Sequence, residues 1–206
     1  MIELRVTSLT KKYGYKSVFS DLNFISTSTV MGIAGANGSG KSTLLRVLSG
    51  LLKPTSGKIE WTIDRNPVDM AGFKQNIGYT APYVELYEEL TVFENLEFIL
   101  KVRGLSDNNT IPDQLKKMDA VDLSGQFYGS LSTGQRQRIK LAAAMIHQPS
   151  ILFLDEPGSN LDKKGLGRVE QMIQEFKSSR TFVLIASNLS AELDLCDQIF
   201  HLTKTE

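Results

Sequence analysis

Apolar and polar positions along the chain change period several times, and each change marks an element. Ile2 to Leu9 and Leu22 to Thr29 carry strand-type patterning on either side of a Tyr13-Gly14-Tyr15 turn region. Val30 to Ala34 is a short unbroken apolar run, the pattern of a strand buried on both faces. Leu44 to Leu52 reads as an amphipathic helix, followed by the breaker Lys53-Pro54-Thr55-Ser56-Gly57. In Lys58 to Ile63 the apolar residues Ile59, Trp61 and Ile63 alternate with polar ones, as in a half-buried strand, and Asn76 to Thr80 predicts another.

From Pro82 to His147 the period turns helical. Thr91 followed three residues later by Glu94 is a capping box that opens a helix to about Val102. Pro112 starts a second helix, and Gly134 to Ile146 forms a third, ended by Pro149. Strands and helices then alternate: Ile151 to Leu154, Thr181 to Ala186 and Gln198 to Leu202 as strands, Lys163 to Phe176 and Ala191 to Leu195 as helices. The pattern predicts one α/β domain over 1–206. Its core, residues 1–81 and 148–206, holds a parallel central sheet and an N-terminal antiparallel β portion, with an inserted helical subdomain at 82–147.

Composition narrows what such a domain can do. The chain has 206 residues, 41% of them hydrophobic, enough for one core. Its 23 Lys and Arg balance 23 Asp and Glu, so no basic face points to a nucleic-acid partner. Cys196 is the only cysteine, which excludes an intrachain disulfide and fits a reducing compartment. The N-terminus shows no signal pattern, and no apolar run approaches the roughly 18 to 20 residues of a membrane span. The expectation is a soluble chain whose membrane role, if any, comes through a partner.

Candidate chemistry begins where the first buried strand meets the first helix. Residues 35 to 43 read Gly-Ala-Asn-Gly-Ser-Gly-Lys-Ser-Thr, a complete phosphate-binding P-loop. Gly35, Gly38 and Gly40 let successive backbone N–H groups turn inward around a phosphate, and the loop opens a helix N-terminus that favours the same anion. Lys41 adds a charge for the β- and γ-phosphates, the Ser42 hydroxyl is placed to ligate Mg²⁺, and Asn37, Ser39 and Thr43 complete the cradle. Ile151 to Leu154 delivers Asp155 and Glu156 to a strand's carboxyl end, the Walker B arrangement. Asp155 would hold the Mg²⁺ shell and Glu156 would act as general base or orienter for the attacking water. A nucleotide with Mg²⁺ is what these two motifs imply, in a P-loop NTPase core that a kinase, a GTPase or another machine could equally carry.

Leu131-Ser132-Thr133-Gly134-Gln135-Arg136-Gln137-Arg138 opens the third helix of the insert. It resembles the signature motif of ATP-binding cassette (ABC) ATPases, with Thr133 where that family usually has glycine. The resemblance covers nearly the whole chain. It implies that Ser132, Gly134 and Gln135 complete the ATP site of the opposite subunit in a head-to-tail homodimer or heterodimer, and that Tyr13 stacks on adenine. Ser159-Asn160-Leu161-Asp162 is similar to the family's D-loop, although Asp162 also suits a helix cap.

Two further positions depart from the family pattern. Pro82 stands where a glutamine usually touches Mg²⁺ and water, and it offers neither a side-chain amide nor an N–H. Glu85 is the nearest substitute, reached through a loop shift. Asn188 stands where a switch histidine usually follows the strand; its amide donates to a γ-phosphate but carries no charge. The resemblance thus implies an ATP-hydrolysing subunit, slowed by Pro82 and Asn188, that powers a separate integral membrane transporter subunit from the cytoplasmic face of the membrane. Leu86 to Thr91 resembles exporter-type cassettes. The alternative is a soluble or regulatory ABC protein that binds ATP with little turnover.

Overall fold

The computed structural model describes residues 1–105 and 109–203. The strands β1 (Ile2–Tyr13) and β2 (Lys16–Ser26) form a hairpin, and β3 (Val30–Ala34) leads through the P-loop into α1 (Lys41–Leu48). Next come β4 (Ser56–Ile63), β5 (Asn66–Pro67), α2 (Met70–Gln75) and β6 (Ile77–Thr80). The helices α3 (Val92–Val102), α4 (Thr110–Lys117) and α5 (Thr133–Met145) follow in succession. The chain then alternates through β7 (Ile151–Asp155), α6 (Lys163–Lys177), β8 (Phe182–Ser187), α7 (Ser190–Leu193) and β9 (Gln198–His201).

These strands make two sheets. One is antiparallel with order β2-β1-β4-β5; the other has order β6-β7-β8-β3-β9, with every described pairing parallel. β3, β7 and β8 are buried at every residue, as unbroken apolar runs require, and their alternate side chains feed two cores. Leu152, Leu154, Val183 and Ile185 pack toward α3, α4, α5 and α6. Ile151, Phe153, Leu184 and Ala186 pack toward α1 and the antiparallel sheet. Trp61 sits in that second core among Phe73, Phe153 and Phe182, and its indole N–H donates to the Leu48 carbonyl at 3.2 Å, satisfying one of the open C-terminal groups of α1.

Several boundaries differ from the sequence expectation. The hairpin strands run to Tyr13 and from Lys16, because pairing with the neighbouring strand carries the polar stretch Thr10 to Lys12 through register shifts. α1 begins at Lys41 rather than Leu44, since the P-loop turns straight into it at Gly40, and it stops before Gly50, whose φ is 73°. α2 and β5 were not expected; both are too short for a periodic signal, and only the Asp69 cap, accepting from the Gly72 N–H at 2.6 Å, marks α2. α4 starts two residues before Pro112, within the first turn where proline is tolerated.

Candidate nucleotide site

The parallel register decides which loops meet. Ala34 lies beside Ser187 and His201, and Asp155 lies beside Ala186, so the P-loop, Asp155-Glu156 and Asn188 all leave the same carboxyl edge of the sheet. This is where open α/β sheets gather ligands.

The P-loop itself is tightly built. Gly40 precedes α1 with φ 101°, a conformation that side chains rarely adopt, and a Cβ there would stand 2.6 Å from a Val18 methyl of β2. At Gly35 a Cβ would come within 2.7 Å of the Leu202 carbonyl and 2.6 Å of the Ser39 hydroxyl. Ser39 N–H closes the loop onto the Ala36 carbonyl at 3.1 Å. Lys41 is buried and donates to the carbonyls of Gly35 at 2.8 Å and Ala36 at 3.3 Å, which holds its ammonium against the loop. Asn37 accepts from the Asn188 amide at 3.0 Å, so the position of the expected switch residue is latched to the P-loop directly.

Asp155 is 1% exposed, and neither carboxylate oxygen has a hydrogen-bond partner of normal geometry. Burial raises its pKa above the ordinary carboxylate value; the Ser42 hydroxyl opposes this, Glu156 adds to it, and Lys41 opposes it. Ser42, on the first turn of α1, and Asp155 therefore offer two hard oxygen ligands side by side. Among the described residues no cluster of three or more His, Cys, Asp or Glu side chains could hold a metal by itself. The pair instead fits Mg²⁺, which is usually held by few protein oxygens with phosphate and water completing the shell. Glu156 follows with φ 48°, a left-handed turn uncommon for a non-glycine residue and concentrated at functional sites. Its N–H donates to the Ala186 carbonyl at 2.8 Å, tying this turn to β8.

The signature residues stand on α5. Ser132 and Gln135 form a capping box there, with the Ser132 N–H donating to Gln135 Oε1 at 2.9 Å. A Cβ on Gly134 would lie 3.2 Å from the Asn160 carbonyl, so this helix start abuts the Ser159 to Asp162 loop of the same chain. Asp162 also caps α6 by accepting from the Gly165 N–H at 2.8 Å. Tyr13 is half exposed at the end of β1, with the Lys11 ammonium 4.9 Å from its ring centre. The hairpin's second strand touches the P-loop through Val18.

Glu85 does not stand in for the missing glutamine. One oxygen accepts from the Tyr128 hydroxyl at 2.7 Å and the other from Lys140 at 3.3 Å, while Lys140 also donates to the Pro82 carbonyl at 3.1 Å. His147 is no switch either. Its Nε2 meets the Ile77 carbonyl at 2.9 Å, and burial lowers its pKa to about 4, leaving it neutral near pH 7.

Sequence reasoning missed Glu192, which is 2% exposed and accepts from the Gly158 N–H at 2.8 Å, with its second oxygen unpaired. Burial raises its pKa, and it fastens the loop after Glu156 to α7. It also missed the tyrosines at 79 and 83.

Comparison with known proteins agrees with this geometry. The family model described as ABC transporter matches residues 20–159. A Bacillus subtilis protein named as an uncharacterized ABC transporter ATP-binding protein, YybJ, is 31% identical over 94% of this chain and 89% of its own length. The probable sulfate/thiosulfate import ATP-binding protein CysA of Chlorella vulgaris is 33% identical over 96% of this chain and 86% of its own. The solved dimeric structure of MJ0796, a bacterial ABC transporter cassette, superposes with a TM-score of 0.85 at 25% identity, covering 97% of this chain and 94% of that one.

Proposed function

This chain belongs to the ABC transporter family, and on that premise we propose that it is an ATP-hydrolysing subunit that powers a separate membrane subunit. The observation that carries the reading is the convergence at one sheet edge of the P-loop, the unpaired Asp155 carboxylate and Glu156. In this reading the P-loop amides and Lys41 grip the β- and γ-phosphates. The Lys41 ammonium exchanges its loop carbonyls for phosphate oxygens. Ser42 and Asp155 hold Mg²⁺, which supplies charge neutralisation on the phosphates. Glu156 orients or deprotonates the attacking water, and Asn188, released from Asn37, donates to the γ-phosphate. Losing one preorganised donor to a transition-state charge costs about 10² to 10³ in rate, and Asn188 keeps its donor. Turnover is thus slow rather than absent.

The finer parts of the reading concern partners. A second cassette contributes Ser132, Gly134 and Gln135 to this chain's ATP, and Tyr13 packs on the adenine. No helix among the described residues is long and apolar enough to cross a membrane, so attachment comes through the partner. A groove of about 470 Å³ lined by Leu51, Val84, Leu86, Ile99 and Arg103 is the docking place we assign to the membrane subunit. Exposed Tyr87 and Phe98, edge to face at 5.3 Å, add apolar surface on the same loop and helix. We infer export from Leu86 to Thr91; the relative named for import is the reason transport must be read in both directions in reconstituted vesicles.

Assembly is tested with Glu156→Gln protein, which should trap ATP. Size-exclusion chromatography with light scattering should show a dimer at saturating ATP and a monomer without it. A monomer under both conditions overturns the symmetric pair.

A further inference from the structure

The face of the parallel sheet that carries Asp155 holds a pair of phenols with no role so far. β6 lies parallel to β7 with Tyr79 beside Phe153, their ring centres 6.3 Å apart. Phe153 points into the core shared with α1, and two residues further along the strand Asp155 returns to that side. Tyr79 therefore shares a face with Asp155. Beyond the strand end Tyr83 folds back so that its hydroxyl hydrogen-bonds to the Tyr79 hydroxyl. The Arg46 guanidinium lies over the Tyr83 ring, 5.7 Å from its centre. Arg46 follows Ser42 by one turn of α1, on the same side of the helix. The phenol is thus fixed by α1 on one side and by the Asp155 face on the other.

Hydrogen-bond accounting shows what this hydroxyl has left to give. When the Tyr79 proton is accepted by Tyr83, one lone pair and one O–H of Tyr83 remain free. Tyr83 is 54% exposed, so those groups are not sealed in the core. Burial raises both phenols above the ordinary tyrosine value, with the Asp155 charge contributing to each, so they stay protonated at neutral pH. The competing groups are absent or committed: Pro82 has no donor, and Glu85 is held by Tyr128 and Lys140.

We propose that Tyr83, steadied by Tyr79 and Arg46, binds the Mg-ATP complex through its hydroxyl, accepting a hydrogen bond from a water of the Mg²⁺ shell. This rests on the nucleotide-site reading above and adds a residue outside every motif recognised in the sequence. The phenol then supplies the polar group that Pro82 lacks.

The test is calorimetric binding of ATP to unaltered protein, Tyr83→Phe and Tyr79→Phe, each with Mg²⁺ and with EDTA. Tyr83→Phe removes only the hydroxyl. The affinity gained on adding Mg²⁺ should fall about tenfold, the size of one charge-assisted hydrogen bond, with Mg²⁺-free affinity within about twofold of the unaltered protein. Tyr79→Phe should give a smaller loss of the same kind. An unchanged Mg²⁺-dependent gain in Tyr83→Phe, or equal losses with and without the cation, overturns the assignment. Failure of the unaltered protein to bind ATP at all instead overturns the nucleotide-site reading, and this inference with it.

Discussion

A buried carboxylate without a hydrogen-bond partner of normal geometry is costly to a fold, and Asp155 carries that cost at the end of β7, only partly offset by Ser42 and Lys41. Asp155→Asn should therefore raise the melting temperature of the ligand-free protein by about 2 to 4 °C while abolishing the further rise produced by Mg-ATP. The sign follows from the raised pKa. A carboxyl whose folded pKa lies above its unfolded value contributes stability at low pH that is lost as pH rises through the folded value. The advantage of the asparagine should accordingly be large at pH 7 and shrink as pH is lowered toward about 4. Thermal scans across that range check both parts, and a lower melting temperature for the variant at pH 7 contradicts the electrostatic account. The P-loop residues were legible in the sequence because a phosphate nest is written locally, in glycine spacing and the adjoining lysine. Glu192 and Tyr83 were not. Glu192 reaches Gly158 across 34 positions, and Tyr83 is placed by α1 and β6, so neither leaves a local pattern.

The elements read best from the chain were those whose burial is uniform. β3, β7 and β8 are unbroken apolar runs because both faces are covered, and the cap at Thr91 marks α3 to the residue. α5 matches its expected bounds to within one residue, Gly134 to Ile146 against Thr133–Met145, although it buries polar side chains. α5 hides Gln137, which donates to the Pro157 carbonyl at 2.9 Å, and Lys140, which holds Pro82 and Glu85. Its hydrophobic periodicity is accordingly blurred, and Gln137 fastens the insert to the loop after Glu156. β6 meets α5 closely enough that a Cβ on Gly78 would lie 2.0 Å from the Ala144 carbonyl. Gly78→Ala must push β6 away from α5, and with it the chain that leads to Pro82. It should cost about 1 to 3 kcal/mol or more in urea unfolding, against the few tenths expected at an open glycine such as Gly125. Equal stability of the two variants would show that the strand and helix are not in such contact.

The whole molecule is an α/β core with an antiparallel sheet on one side and a helical insert on the other, each with its own hydrophobic cluster. Its formal charge is zero, so net charge gives it no general attraction to a polyanion. In the function proposed above, the phosphate chain binds at the P-loop and the resulting change passes to a partner docked along the loop after β6. Everything proposed about partners and transport depends on the chemistry at the sheet edge. The measurement that addresses it most directly is phosphate release from Mg-ATP by the purified protein and by Glu156→Gln. The account predicts a slow but measurable rate that falls by about 10² or more in the variant. A rate that is the same in both proteins contradicts it.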